Sequence, residues 1–131
     1  MLWLLFKMKI LIVDDSVFFR EKIKKAINSM DITILILEEL TYESGKLAFS
    51  YHNPDLVILE IELQGKSGIK LLQEIKSSSL PCMIIIFTNY SSEEFKANCL
   101  ENGADYFFDK SKSYVELLEI IRSQAKQLEE Q

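Results

Sequence analysis

Five short apolar runs recur along the chain: KILIV at 9–13, ITILIL at 32–37, LVIL at 56–59, CMIIIF at 82–87 and DYFF at 105–108. Strands with one wet face alternate apolar and polar residues, whereas these runs are apolar almost throughout, the pattern of strands covered on both faces. A sheet buried in that way is parallel and lies between helices, and the segments separating the runs carry helical periodicity. Five β-α units of this length predict an α/β fold with a doubly wound open sheet and right-handed crossovers. Ligands of such sheets sit at the carboxyl ends of the strands, where the winding direction switches.

The connecting helices have legible ends. Ser16 is placed to cap a helix running through Ile27, with Phe19, Ile23 and Ile27 on one face. Ser44 is the expected start of a second, which Pro54 stops. A third spans about 67–76 with Ile69, Leu72 and Ile75 inward, and SSEE at 91–94 has the form of a capping box opening a fourth that Gly103 ends. The fifth runs from Ser113 to about Leu128 and repeats Val115, Leu118 and Ile121 at helical spacing.

The 131 residues make one domain, able to bury roughly two thirds of the surface of its unfolded chain. With 48% hydrophobic residues, four Gly and two Pro, the composition is globular rather than disordered or fibrous. The net charge of −5, with basic residues scattered and KIKK at 22–25 the densest group, argues against a nucleic-acid partner. The apolar start MLWLLF is too short to span a bilayer and has no charged region ahead of a longer apolar stretch, so neither a membrane span nor a signal peptide is expected. Residues 1–7 read as an extension, either an upstream start with Met8 as alternative initiator or a hydrophobic strip that docks on the domain or on a second copy. Residues 8–128 form the domain and 129–131 a short tail, in a cytoplasmic protein with no membrane partner. Cys82 and Cys99 have no second Cys or His at metal-ligand spacing and are expected as reduced, packed thiols. His52, the one histidine, sits beside Asn53 and Pro54 at a helix exit and carries no expected chemistry.

The residues at or just past the strand ends do carry chemistry. They are Asp14 and Asp15, Glu60, Thr88 and Lys110, so one edge of the sheet receives three acids, a hydroxyl and an amine. Carboxylates about 4 Å apart repel by about 4 kcal/mol per pair at an effective dielectric near 20, and a cation is needed to hold them together. A hard divalent ion such as Mg²⁺ meets that need, Lys110 adds a fixed positive charge, and Thr88 can donate to an oxyanion. Together they describe a site for phosphoryl transfer to or from a carboxylate.

ILIVDDS at 10–16, PDLVILEIELQGKSG at 54–68, IIIFTNYSSEE at 84–94 and GADYFFDKS at 103–111 together resemble the receiver domain of bacterial two-component response regulators, over residues 8 to about 128. The resemblance implies a flavodoxin-like five-stranded parallel sheet in order 2-1-3-4-5 with five helices. It implies Mg²⁺ held by Asp14, Asp15 and the backbone carbonyl of Glu62, a phosphoryl-reading hydroxyl at Thr88, a phosphoryl-contacting Lys110 and an aromatic switch at Phe107. Helix four, strand five and helix five would form the face for a sensor histidine kinase, another signalling protein or a second copy of the chain.

Two positions depart from the pattern. Ser111 replaces the proline that usually follows the lysine, and Glu60 occupies the position of the phosphoacceptor aspartate. The extra methylene carries the Glu60 carboxylate roughly 1 Å or more further into the site, and misplacing a reacting group by about 1 Å can cost ~10²-fold in rate. The same reach brings an oxygen closer to Thr88 and Lys110. Glu60 therefore belongs to a pseudo-receiver that signals without phosphate, to a receiver given a phosphomimetic, or to one phosphorylated slowly. The expected function is that of a stand-alone response regulator in phosphorelay signalling, a binding module rather than an enzyme, since no effector module follows Gln131. The rivals are a small Mg²⁺-dependent phosphohydrolase using Asp14 as nucleophile, and a flavodoxin-like ligand binder, for which the loop after the first strand lacks a phosphate cradle.

Overall fold

The computed structural model describes residues 6–129; most of the apolar extension, residues 1–5, and the tail residues 130–131 lie outside the described residues, and with them the expected docking of that extension. In chain order the elements are β1 (Met8–Val13), α1 (Val17–Asn28), β2 (Ile34–Glu39), α2 (Tyr42–His52), β3 (Leu56–Leu59), a small hairpin of β4 (Glu62–Leu63) and β5 (Lys66–Ser67), α3 (Gly68–Ser77), β6 (Met83–Thr88), α4 (Glu93–Glu101), β7 (Tyr106–Asp109) and α5 (Tyr114–Glu129). The main sheet is parallel throughout, in order β2-β1-β3-β6-β7, which is 2-1-3-4-5 once the hairpin is set aside.

Alternation within the apolar runs sends successive residues to opposite faces, and both faces are covered. Leu11, Val13, Val57, Leu59, Ile84 and Ile86 pack under α2, α3 and α4 with Phe49, Leu72 and Cys99. Ile10, Ile12, Leu56, Ile58, Ile85 and Phe87 pack under α1 and α5 with Ile23, Ile27, Leu117 and Ile121. The central strands β1, β3 and β6 are almost wholly buried, and the edge strands β2 and β7 are half-buried.

Several boundaries fall elsewhere than the sequence suggests. β2 starts at Ile34 and extends to Glu39, two residues later than the apolar run, because its register follows β1 from Met8↔Ile34 to Val13↔Glu39. α2 is capped by Thr41, not Ser44: the Thr41 hydroxyl accepts from the Ser44 N–H at 3.0 Å and the Ser44 hydroxyl accepts from the Thr41 N–H at 3.3 Å, a capping box with serine in the third position. α4 is capped by Ser92, whose hydroxyl accepts from the Phe95 N–H at 3.2 Å, so Glu93 and Glu94 serve the helix dipole rather than a reciprocal box. α5 turns Leu117, Ile121 and Ala125 inward and leaves Val115 63% exposed, an i, i+4, i+8 stripe one step round from the expected one.

The hairpin between β3 and α3 had no turn signal of the usual Asn-Gly or Asp-Gly kind. Gln64 (φ 50°) and Gly65 (φ 84°) make its two-residue turn, both in the left-handed region that a type I′ turn needs. It folds the chain back so that Gly68, at the start of α3, donates its N–H to the Ile61 carbonyl and lies against the backbone of Glu60. A Cβ at Gly68 would overlap the Glu60 carbonyl oxygen and come within 2.9 Å of the Ile61 Cα. Gly68→Ala should therefore destabilise the domain by about 3 kcal/mol, as overpacking against backbone does. Gly65→Ala, with open space and only an unfavourable φ, should cost about 1 kcal/mol. Urea unfolding of the two variants checks the order; equal losses would mean that α3 can back away from the strand end.

Candidate functional site

The parallel ladders continue one residue past the strands and so fix the carboxyl edge. The Asp14 N–H donates to the Glu39 carbonyl at 3.0 Å, the Glu60 N–H to the Val13 carbonyl at 3.0 Å and the Lys110 N–H to the Thr88 carbonyl at 2.9 Å. Asp14, Glu60, Thr88 and Lys110, from β1, β3, β6 and the end of β7, consequently converge, and all four are buried.

The Lys110 ammonium lies between two carboxylates, 2.8 Å from Asp14 Oδ2 and 2.7 Å from Glu60 Oε1. The other Glu60 oxygen, Oε2, accepts from the Thr88 hydroxyl and from the Ile61 N–H at 2.7 Å. Asp14 Oδ1 accepts from the Ser16 N–H at 2.9 Å. The extra methylene of glutamate is what lets one carboxylate reach strand β6 and the lysine together. On its third side Lys110 Nζ stands 4.6 Å from the centre of the Phe19 ring, an aromatic face that suits a cation. Phe19 is held edge-on between Phe18 and Phe87.

Sequence reasoning missed Arg20. It is 9% exposed, donates from a terminal guanidinium nitrogen to the Asp14 carbonyl at 2.7 Å and from Nε to Glu38 at 3.1 Å, and so ties the end of β1 to the end of β2. Its position three and seven residues before Ile23 and Ile27, inside the apolar stripe of α1, was the available signal.

Other expected site residues lie at the rim. Asp15 is exposed, and the Glu62 side chain is exposed with its carboxylate on the Gly65 N–H at 3.1 Å. Phe107 is half-buried against the core on the α2–α4 side and lines a shallow cavity of about 190 Å³ with Lys96, Asp109 and Lys112. Where Ser111 replaces proline, the loop is held by Asp109, whose carboxylate accepts from the Ser111 N–H at 2.7 Å and from the Ser111 and Ser91 hydroxyls. Those hydroxyls, Ser111 first, hold the Asp109 carboxyl down at about 2. The cysteines are free thiols that burial pushes up to about 12 for Cys82 and about 11 for Cys99, so neither is a nucleophile at neutral pH.

A doubly wound parallel sheet that gathers two acids, a hydroxyl and a lysine at its carboxyl edge defines a signal-receiver module. A model of the family described as response regulator receiver domain matches residues 10–122, and the chain belongs to that family, whose members act in two-component signalling. It is 29% identical over 117 residues to the nitrate/nitrite response regulator protein NarL of Escherichia coli K12, covering 88% of this chain and 54% of NarL. It is 31% identical over 113 residues to a protein-glutamate methylesterase/protein-glutamine glutaminase of Clostridium acetobutylicum, covering 85% of this chain and 33% of that protein. The chain thus spans about half or less of these relatives. A DNA-binding response regulator of the LuxR family from Staphylococcus aureus superposes with a TM-score of 0.79 at 26% identity, over 90% of this chain and 98% of that one. The response regulator domain of Thermotoga maritima CheB, at 22% identity and a TM-score of 0.75 over 92% and 95%, shares the fold. No helix among the described residues is long and apolar enough to cross a membrane.

Receiver domains typically bind Mg²⁺ at this acidic pocket, and the expected ligands here are Asp14, Asp15 and the Glu62 carbonyl. The side chains as arranged do not fit the ion. Both oxygens of Asp14 and both of Glu60 already accept hydrogen bonds, Asp15 is exposed, and no three His, Cys, Asp or Glu groups placed to hold a metal ion gather among the described residues. The buried acids of the edge are Asp14 and Glu60, and the Lys110 ammonium lies between them.

Burial raises the Asp14 carboxyl above its ordinary 3.8, and the hydrogen bonds from Lys110 and Ser16 oppose this without cancelling it. Burial pulls the Lys110 ammonium down, but its hydrogen bonds to Asp14 and Glu60 outweigh burial and hold it above the ordinary 10.5. A lysine held higher in the folded than in the unfolded protein binds its proton more tightly when folded, so its contribution to stability is full below 10.5 and is lost as pH rises through the folded value. Lys110→Met should therefore flatten the loss of stability on going from about pH 10 to 12, and should lower stability at pH 7 by about 3 kcal/mol by leaving two buried carboxylates without a counter-ion. Urea unfolding across pH measures both; parallel alkaline limbs in parent and variant would show that Lys110 is not the titrating partner.

Proposed function

We propose that this chain is a cytoplasmic receiver whose acceptor position is blocked by Glu60 and which signals through protein contact rather than through its own phosphorylation. The observation that carries this reading is the engagement of both Glu60 oxygens by Lys110, Thr88 and the Ile61 N–H, which ties the carboxylate to the groups that would otherwise receive a phosphoryl oxygen. Thr88 and Lys110, the groups that would read a phosphoryl oxygen, hold a glutamate oxygen instead.

The contact surface is α4, β7 and α5, around Phe107. Thr88 accepts from the Tyr90 N–H at 3.1 Å while donating to Glu60, so the hydroxyl that Glu60 holds also anchors the loop leading into α4. Tyr90 and Phe95, 50% and 41% exposed, pair their rings there, and Leu100 is 42% exposed on the same helix. Such an apolar cluster suits a signalling protein, a sensor histidine kinase or its effector, or a second copy of the chain, and does not suit nucleic acid. Catalysis is not proposed: for the rival phosphohydrolase, Asp14 would have to act as nucleophile with one oxygen on Lys110 and the other on the Ser16 N–H.

Glu60→Asp tests the block. Incubated with Mg²⁺ and acetyl phosphate, the parent should gain no stable phosphoryl group by intact mass. The Asp variant, withdrawn from Thr88, should gain one as its carboxylate attacks phosphorus and acetate leaves, at a rate at least about 10²-fold higher. A parent that labels as readily as the variant would refute the blocked acceptor, and failure of both would show that the family fold is kept here without its chemistry.

A further inference from the structure

We infer that Lys110, fastened between Asp14 and Glu60, closes this acidic edge to Mg²⁺, so that the setting of the site does not follow the ion's concentration. The inference rests on the reading of Glu60 as a blocked acceptor and concerns the regulation of the same site.

Four carboxylate oxygens line the buried cluster, and each has its donor: Asp14 Oδ1 the Ser16 N–H, Asp14 Oδ2 and Glu60 Oε1 the ammonium, and Glu60 Oε2 the Thr88 hydroxyl and the Ile61 N–H. Mg²⁺ demands near-octahedral oxygens at about 2.1 Å and gives up its waters reluctantly. An ion on Asp14 Oδ2 would stand against the positive charge of an ammonium nitrogen 2.8 Å from the same oxygen, and that repulsion opposes its binding.

The ammonium is also poorly placed to yield. Its side chain is 3% exposed, two of its protons face carboxylates, and the Phe19 ring stands on its remaining side. An aspartate at position 60 would be shorter by one methylene and could not hold Thr88 and Lys110 together in this way. Glu60 is thus what fastens the lysine over Asp14, and Asp15, exposed at the rim, is left without a buried partner for a shared ion.

Calorimetric and amide-NMR titrations with MgCl₂, and with MnCl₂ read by paramagnetic broadening at Asp14 and Asp15, test this on the parent, Glu60→Asp and Lys110→Met. The parent should show no saturable response up to about 20 mM, and both variants should bind at least about tenfold more tightly. Glu60→Asp keeps the test open should Lys110→Met fail to fold. A parent that saturates with the affinity of Glu60→Asp overturns the inference, and so does a lack of binding in every folded variant, because then the ammonium is not what closes the site. A parent that binds Mg²⁺ yet takes no phosphoryl group from acetyl phosphate would sink this inference alone and leave the blocked acceptor standing.

Discussion

One ammonium group ties the carboxyl edge of this domain together. Lys110 follows β7, Asp14 follows β1 and Glu60 follows β3, so the contacts at 2.8 and 2.7 Å join three strands of the sheet through a single side chain. Around it the structure supplies what a buried charge requires: a hydroxyl, two backbone N–H groups and an aromatic face, with Arg20 fixing the backbone of Asp14 from behind. A buried ion pair of this kind adds little net stability over an apolar filling, since desolvation offsets most of the attraction. What it adds is geometry: removing Lys110 leaves two buried carboxylates without a counter-ion, and removing either acid leaves the ammonium one partner instead of two.

The reach of Glu60 decides which groups are joined. Its Oε2 holds the Thr88 hydroxyl, and the same hydroxyl accepts the Tyr90 N–H. A change at the end of β3 is therefore felt two bonds later in the loop before α4, where the exposed Tyr90 and Phe95 sit. The path is short and made of hydrogen bonds, and the core beneath it, Ile84 to Phe87, is fully buried and gives no slack for the strand to shift instead.

The sheet was legible because strands covered on both faces must be apolar throughout, and five such runs with helical spacers leave few arrangements open. The membership of the site was legible for a related reason: a parallel sheet delivers the residues after its strands to one edge, so Asp14, Glu60, Thr88 and Lys110 could be grouped without coordinates. What could not be read were the features that depend on side-chain direction. Asp14 and Asp15 are adjacent in sequence, yet Asp14 is 2% exposed and Asp15 is exposed, a difference in burial that sequence adjacency does not show. Arg20, on α1, is buried and donates to the Asp14 carbonyl. The hairpin turn at Gln64 and Gly65 was hidden because glutamine seldom adopts the left-handed conformation that it takes here.

A switch of the receiver kind works because two packings of nearly equal free energy are available and a ligand favours one of them. Here the group that would respond to a phosphoryl oxygen is already engaged by an oxygen belonging to the chain, and a lysine lies against both buried carboxylates. Moving a two-state equilibrium from 1:99 to 99:1 takes about 5.5 kcal/mol of differential affinity. With phosphate and metal removed as sources in the proposed reading, that difference has to come from a protein bound at the α4–β7–α5 face. In that reading, if the partner binds the state in which Glu60 holds Thr88, linkage makes the loosening of that contact and the weakening of the partner two sides of one coupling free energy.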